Sequence, residues 1–520
     1  MSWSPINNTT HYSCCLGLTK PEQLLKKCVE YGYKSCAIAD NNTLGGSVDF
    51  FSEAKKLGIK PILGSKLNGV ILLAKNLQGW KNLLKVTNND NLFDYQEDGS
   101  LIAIAPDSLS ESESYHQLQG KFGKDLHTYS KCGIQEKCYY LDKSDVEDYK
   151  VLMSADSGKV ISSLSDIPDA ALFNAEQSAH LDNSWLTEQC EEYDILGQLN
   201  LPRFDIPKEF DNQYDYLVHL CRQGWKSKIA GKGLDEKVYA ERVKKEFEVF
   251  KRVGLEGYLL IVADYVNWAK NQGWLVGPGR GSSSGSLTCY LLNITDIDPI
   301  KYNLIFERFY NDGRNTKDRK AFPDIDTDFP KFKRELVIEY IKQKYGYDKV
   351  CGIVTYSELK GKSSIKEVLR AHKACSSDEM NKITKDIPAK EKISDLLADA
   401  NENSIIRWTL QNEPDILKEW VTIDEQGNIQ GNLSRFFEQA IRIEGTFIGT
   451  GKHASGIIVA SDVLNESCPM IKDKHGEALA ALDMSALEKA GFLKFDILGL
   501  AGLDKLMGIN NLLMYGRINV

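Results

Sequence analysis

The chain has 520 residues with 64 Lys+Arg against 73 Asp+Glu, and its formal net charge of −9 excludes a wholly basic nucleic-acid coat. At 42% hydrophobic, 26% charged and 10% aromatic residues, the composition is that of a folded globular chain and excludes the disordered, collagen-like and disulfide-scaffold classes. At roughly 150 residues per domain, the length predicts about three or four domains.

The opening MSWSPINNTTHYS has neither a basic n-region nor an apolar h-region, and no later stretch reaches the roughly 18 uninterrupted apolar residues of a membrane span, so neither secretion nor membrane insertion is expected. The 12 cysteines include no CxxC pair, Cys132 and Cys138 are too far apart for a usual zinc knuckle, and no histidine cluster accompanies them, which predicts reduced thiols in a cytosol. Pattern predicts a helix over Pro21–Tyr31, a strand over Ser35–Ala39, a helix over Gly46–Leu57 and a strand over Ile59–Leu63, a βαβα rhythm that argues for parallel strands packed by helices. The polar stretch Glu97–Lys137 reads as irregular loop, and the two prolines of LPRFDIP, Leu201–Pro207, mark a linker after a boundary at about 195–200. Val243, Phe247 and Phe250 recur at helical spacing as an ordinary core-facing helix, with Gly254 as its C-cap.

Charge is uneven along the chain: Lys301–Lys373 carries 17 Lys+Arg against 11 Asp+Glu, a balance of +6 that leaves −15 elsewhere. A solvated face and a polyanion partner both explain such a stripe. Within it, Lys362, Lys366 and Arg370 fall at i, i+4 and i+8 and form one ridge of a helix, opposite Ile365, Val368 and Leu369. Solvent exposure and contact with phosphates are the two readings of that ridge.

Three strings carry the chemistry. In WLVGPGRGSSSGSLTCYLLNI, 274–294, a short apolar run that reads as a strand leads into a glycine loop and a helix predicted over Ser286–Leu292. Gly281 lets backbone N–H groups approach a phosphate, the helix N-terminus favours negative charge, and Arg280 and Ser282 add donors, although tight turns use the same residues. In AFPDIDTDFP, 321–330, a strand would project Asp324, Asp326 and Asp328 from one face, which suits Mg²⁺; an exposed acidic strand edge or a turn stands beside that reading. In GFLKFDILGL, 491–500, Lys494 and Asp496 share a strand face, as a buried ion pair or as the source of a third carboxylate for two divalent ions. GTGKHAS, 449–455, is no nucleotide-binding P-loop, since Thr446 stands where the first glycine is required and His453 follows Lys452 in place of Ser/Thr. It is predicted to form a turn before the strand Gly456–Ala460, which brings Lys452 and His453 near a substrate.

The run EGYLLIVADYVNWAKNQGWLVGPGRGSSSGSLTCYLLNITDIDP, followed by FERF, PDIDTDF, HASGIIVAS and KFDILGL, closely resembles the alpha subunits of bacterial DNA polymerase III, the C-family replicative polymerases, and the match is dense from about Glu246 to Leu500. The resemblance implies an α/β multidomain architecture, with a degenerate PHP domain, a distorted β/α barrel, over 1–195 and a nucleotidyltransferase palm of the polymerase-beta type in two parts, 196–357 and 441–500. It implies an inserted helical thumb over 358–440 and the start of the fingers over 501–520. By position, Asp326, Asp328 and Asp496 match the three catalytic aspartates that hold two Mg²⁺ ions, while Asp324 matches an aspartate not counted among the ligands. Gly281 and Ser282 match the motif at the incoming triphosphate, and Lys494 matches a palm lysine near it. The implied reaction is attack of a primer 3′-hydroxyl on the α-phosphate of a deoxynucleoside triphosphate, directed by template DNA.

In the PHP region the resemblance is informative by its gaps. Asn7 and Thr9 stand where two metal-binding histidines usually occur, Asn41 replaces the histidine after Asp40, and Lys66 occupies a glutamate position. A cationic lysine opposes a divalent ion, so no metal and no phosphoesterase or proofreading activity is expected there. Relatives continue through fingers, a clamp-binding region and an OB-fold, whereas this sequence stops at GRINV. Either a separate polypeptide carries those regions or the product is truncated. The expected location is a bacterial cytoplasm, for a bacterial or a phage protein. Two other hypotheses stand beside a polymerase or its palm-bearing half: a PHP-type phosphoesterase and a non-catalytic DNA-binding or assembly subunit.

Overall fold

Helix and strand alternate through the first 130 or so residues because apolar runs bounded by turn residues alternate with amphipathic stretches. The computed structural model describes residues 3–93, 98–134, 138–164, 182–197, 201–314, 322–400 and 402–515. Positions 198–200 of the expected boundary and 516–520 of the expected fingers segment lie outside the described residues. The architecture is mixed α/β, and among the described residues no helix is long and apolar enough to cross a membrane. The chain divides into two units: Met1–Ile195 with Thr355–Gly451 and Pro469–Asp473, and Leu196–Val354 with Lys452–Cys468 and Lys474–Val520.

The first unit contains a sheet of five strands, β1 (Ser35–Asn41), β2 (Lys60–Leu67), β3 (Val70–Ala74), β4 (Leu101–Ala105) and β5 (Leu126–Thr128), in that spatial order. Strands β1 and β2 pair in parallel, as do β4 and β5, but β3 is antiparallel to both its neighbours. The expected parallel rhythm is therefore broken after β2, where Asn68 and Gly69, both at positive φ, make a two-residue hairpin turn. The expected loop over Glu97–Lys137 is also corrected, since it holds β4, the helix Glu113–Phe122 and β5. Every residue of β4 is buried, so its LIAIA run has no polar alternation to mark it as a strand. Residues 355–451 of this unit include the helices Gly361–Ala371 and Ser434–Ile443, which bury Ile365, Val368, Leu369, Phe437 and Ala440 in one core.

In the second unit, β6 (Asp326–Pro330), the Val350–Val354 part of β7 (Val350–Glu358), the Lys452–Val459 part of β8 (Phe447–Val459), β9 (Ala478–Ala480) and β10 (Lys494–Leu500) follow the spatial order β9-β7-β8-β10-β6. Strand β10 is antiparallel to β8 and parallel to β6. The helix Glu256–Asn271 buries Tyr258 against Phe495 and Tyr265 near Phe329, with ring centroids 5.1 and 6.2 Å apart. Strand β6 begins at Asp326, so Asp324 precedes the strand and is exposed, and the predicted three-carboxylate strand is one carboxylate shorter. No strand forms over 274–276; that segment is tied to β6 by Gly277 N–H donating to Asp328 O at 2.8 Å. The predicted turn at 449–455 is instead part of β8, whose residues there alternate between exposed and half-buried as a strand requires.

One buried carboxylate fixes the glycine-rich segment. The helix Glu236–Val253, ended by Gly254 as expected, carries Tyr239, Glu246 and Phe250 on its buried face. Glu246 accepts from Ser286 Oγ (2.9 Å), Leu287 N (2.8 Å) and Thr288 N (2.8 Å) at the start of the short helix Leu287–Leu291. Arg242, one turn earlier, donates Nε to Glu246 (2.9 Å) and Nη2 to Gly285 O (2.6 Å). The helix N-terminus predicted to face a phosphate thus already holds a protein carboxylate, which satisfies the same orphan N–H groups.

Glu246→Ala leaves these donors and Arg242 Nε without their acceptor and should lower the unfolding free energy by about 3–5 kcal/mol in urea denaturation, against about 0.5 kcal/mol or less for exposed Glu241→Ala. In the first unit, His11 is buried and stacked on Phe447 with ring centroids 4.0 Å apart; burial, then Lys20, lowers it to about 3. The unfolded chain binds the proton more readily, so this group's contribution is intact above the unfolded value and is lost as pH falls toward 3. Between pH 7 and 5 it should cost about 2 kcal/mol, and His11→Phe should flatten the slope by that amount. Burial lowers His127 and His453 as well, so part of the slope should persist.

Candidate active site

The parallel register of β6 and β10 places Asp326 opposite Asp496 and Asp328 opposite Leu498, so carboxylates distant in sequence share one end of the sheet. On the opposite side of β6, Thr327 Oγ1 donates to Asp496 O at 2.6 Å and pins that register. Three carboxylates close together repel, and two cations answer them. Arg280 Nη2 lies 3.1 Å from Asp326 and 3.2 Å from Asp328, and Lys494 Nζ lies 2.8 Å from Asp496. Burial holds the Asp326 carboxyl above its ordinary range; Arg280 pulls it down, while Asp496 and Asp324 push with burial.

The glycine turn meets this cluster directly. Gly281 has φ +68, and a Cβ there would come within 2.8 Å of Asp326 Oδ2, so glycine is required both for the backbone and for the approach. Ser282 Oγ donates to Asp324 O at 3.3 Å. From β8, Ser455 Oγ donates to Asp496 Oδ1 at 2.9 Å, and His453 Nδ1 accepts from Gly456 N at 2.8 Å. Burial, with Lys494 next, lowers the His453 imidazole, and a backbone donor at Nδ1 leaves the neutral ring's proton on Nε2. Lys452 is paired with Glu477 at 2.7 Å. Sequence reasoning therefore found Arg280, Gly281, Ser282, Asp326, Asp328, His453, Lys494 and Asp496, which the fold brings together, but missed Ser455 and Glu246. The presence of Glu246 among Tyr239, Val243 and Phe250 on an apolar helix face is a readable signal for a buried acceptor.

Among the described residues, no group of three His, Cys, Asp or Glu side chains is arranged to hold a metal ion. The donor set nevertheless suits a divalent cation: carboxylate oxygens from neighbouring strands, under like-charge pressure, with Arg280 and Lys494 supplying positive charge to the same oxygens. Asp326, Asp328 and Asp496 are the residues that would hold it.

The remaining predicted sites lie in the first unit. Lys362 Nζ donates to Lys385 O (2.8 Å) and Lys366 Nζ to Asn381 Oδ1 (2.7 Å). Arg370 is engaged by Glu367, Gly158 O and Ser154, so the third member of the expected ridge is tied into its own unit. Asp40 is buried and accepts from Thr10 N, Thr10 Oγ1 and Ser13 Oγ, each at 2.7 Å. Lys66, also buried, donates to Thr9 Oγ1 at 3.3 Å. Burial lowers Lys66 and raises Asp40.

Residues 215–499 match the family model described as the bacterial DNA polymerase III alpha NTPase domain, and residues 6–124 match the PHP domain model. The DNA polymerase III subunit alpha of Aquifex aeolicus is 30% identical over an alignment covering 96% of this chain and 51% of that protein. That of Bacillus subtilis is 29% identical, over 99% of this chain and 50% of that protein. The chain thus spans about half the length of these curated relatives.

Arg280→Gln removes the guanidinium that competes for Asp326 and Asp328. Without nucleotide, it should tighten Mn²⁺ binding several-fold in calorimetry; unchanged or weaker binding would contradict the competition.

Proposed function

The chain belongs to the bacterial DNA polymerase III alpha family, and on that premise we propose that it is the palm-bearing part of a template-directed DNA polymerase. The register that sets Asp326 opposite Asp496 carries this reading. Its substrates are primer-template DNA and deoxynucleoside triphosphates, and the family-level architecture is a β/α-barrel PHP domain, a polymerase-beta-like palm and a helical thumb. Two Mg²⁺ ions held by Asp326, Asp328 and Asp496 would supply Lewis acidity for attack of a primer 3′-hydroxyl on an α-phosphate, with pyrophosphate leaving.

The protein's own residues position and neutralise. Arg280 can exchange its carboxylate partners for triphosphate oxygens, because a guanidinium forms paired hydrogen bonds to either anion. The turn of Gly281 and Ser282 brings backbone and hydroxyl donors to the same edge. His453 offers a neutral Nε2–H donor, and Lys494 and Lys452 offer charge. Lys362 and Lys366 can contact DNA phosphates with their remaining ammonium protons. Burial of Lys66 beside Thr9 and Asp40 favours a PHP domain without metal chemistry.

The fingers and clamp-binding portion of the family, on a separate polypeptide or in continuation of this chain, would complete the enzyme in a bacterial cytoplasm. Exposed Leu506, Ile509 and Leu513, at helical spacing on Ala501–Tyr515, support a face for packing against that portion.

The test is primer extension with Mg²⁺ and with the family's fingers and clamp-binding portion present. Asp326→Asn and Asp496→Asn should each lower incorporation by more than about 100-fold, beyond the loss typical of a supporting partner. Salt-sensitive primer-template binding without incorporation would favour the non-catalytic subunit instead.

A further inference from the structure

Both oxygens of Asp496 are held, by donors of different character. Oδ2 lies 2.8 Å from the ammonium of Lys494, its neighbour on β10, whereas Oδ1 accepts the Ser455 hydroxyl of β8 at 2.9 Å. An ammonium neutralises the carboxylate and competes with any incoming cation for the same oxygen. A hydroxyl orients the carboxylate but leaves its full charge and its other lone pairs available.

Strand β8 is shaped for this contact. The residue directly opposite Asp496 is Gly456, where a Cβ would meet His453 Nδ1 at 3.0 Å, Ile353 Cδ1 at 3.0 Å and Lys494 Cδ at 3.2 Å. No side chain at 456 stands between β8 and the carboxylate, and the residue before it reaches across. The imidazole of His453 accepts from Ser455 N (3.3 Å) and Gly456 N (2.8 Å), which fixes the backbone at the point where Ser455 projects.

We infer that Ser455 is a positioning residue, whose hydroxyl holds Oδ1 of Asp496 so that this carboxylate presents a set orientation and an undiminished charge to a divalent cation. The inference rests on the reading of Asp496 as a metal-holding residue. When Lys494 yields Oδ2, Ser455 is the donor that keeps the side chain from rotating. A role confined to satisfying a buried oxygen would affect stability but not cation affinity.

The full chain is titrated with Mn²⁺ alone, with free ion followed by electron paramagnetic resonance, and thermal unfolding is recorded for every variant. Ser455→Ala should weaken binding by about 10–100-fold, as loss of a partner behind a metal-holding side chain does, and Ser455→Thr should restore it. Loss of Mn²⁺ binding in Asp496→Asn, with Ser455→Ala binding like the wild type, would overturn the role of Ser455 and leave Asp496 in place. Equal binding by wild type and Asp496→Asn would overturn both. Should Ser455→Ala fail to fold, Ser455→Cys and Ser455→Thr decide: the thiol is a weak donor, so weaker binding by Cys than by Thr is expected, and equal binding would overturn the inference.

Discussion

Like charges on adjacent strands repel, and the second unit is organised around containing that repulsion at Asp326, Asp328 and Asp496. The strand register cannot relieve it, because the register is what brings Asp326 and Asp496 together. Relief comes from Arg280, which bridges Asp326 and Asp328, and from Lys494 and Ser455 on Asp496. Beneath them, Thr327 and the ring packing of Tyr258 on Phe495 hold the two strands from the opposite face. A cluster held in this way is balanced by side-chain cations, and removing any one of them leaves an uncompensated charge.

The glycine-rich turn obeys a different logic. Its donors at the following helix are already saturated by Glu246, so what it presents to a ligand is the Gly281 backbone, the Ser282 hydroxyl and the Arg280 side chain. Arg242 and Glu246 grip the segment on both sides, one at the Gly285 carbonyl and the other at the Leu287 and Thr288 amides. The turn is therefore tied on both sides to the helix Glu236–Val253 behind it.

Local pattern revealed much of this fold, and long-range contact decided the rest. The alternation in DIDTD and KFD was enough to place carboxylates on one strand face, but nothing within either string states that the strands pair or in which register. The LIAIA run is not legible as a strand, because uniform burial removes the alternation that marks one and its neighbourhood is polar. Asn68–Gly69, between two apolar runs, is a readable hairpin signal. The GTGKHAS string reads as a turn, yet it lies within β8, where Gly456 leaves room for His453 Nδ1 and Lys494 Cδ, 3.0 and 3.2 Å from where a Cβ would stand. Ser455 left no local trace, since its partner is 41 residues away.

Strand β6 stands at the edge of its sheet, and its neighbour β10 is encoded far downstream. At synthesis rates of about 5–20 residues per second, the nascent chain displays the Asp326–Pro330 segment for on the order of 10–30 s before the strand that pairs with it exists. A newborn edge of this kind is a template for misassembly with other emerging chains, and alternating carboxylates are among the few features that keep such an edge solvated and mutually repellent. The charges gathered at Asp326 and Asp328 thus also suit the strand to water while it is still unpaired.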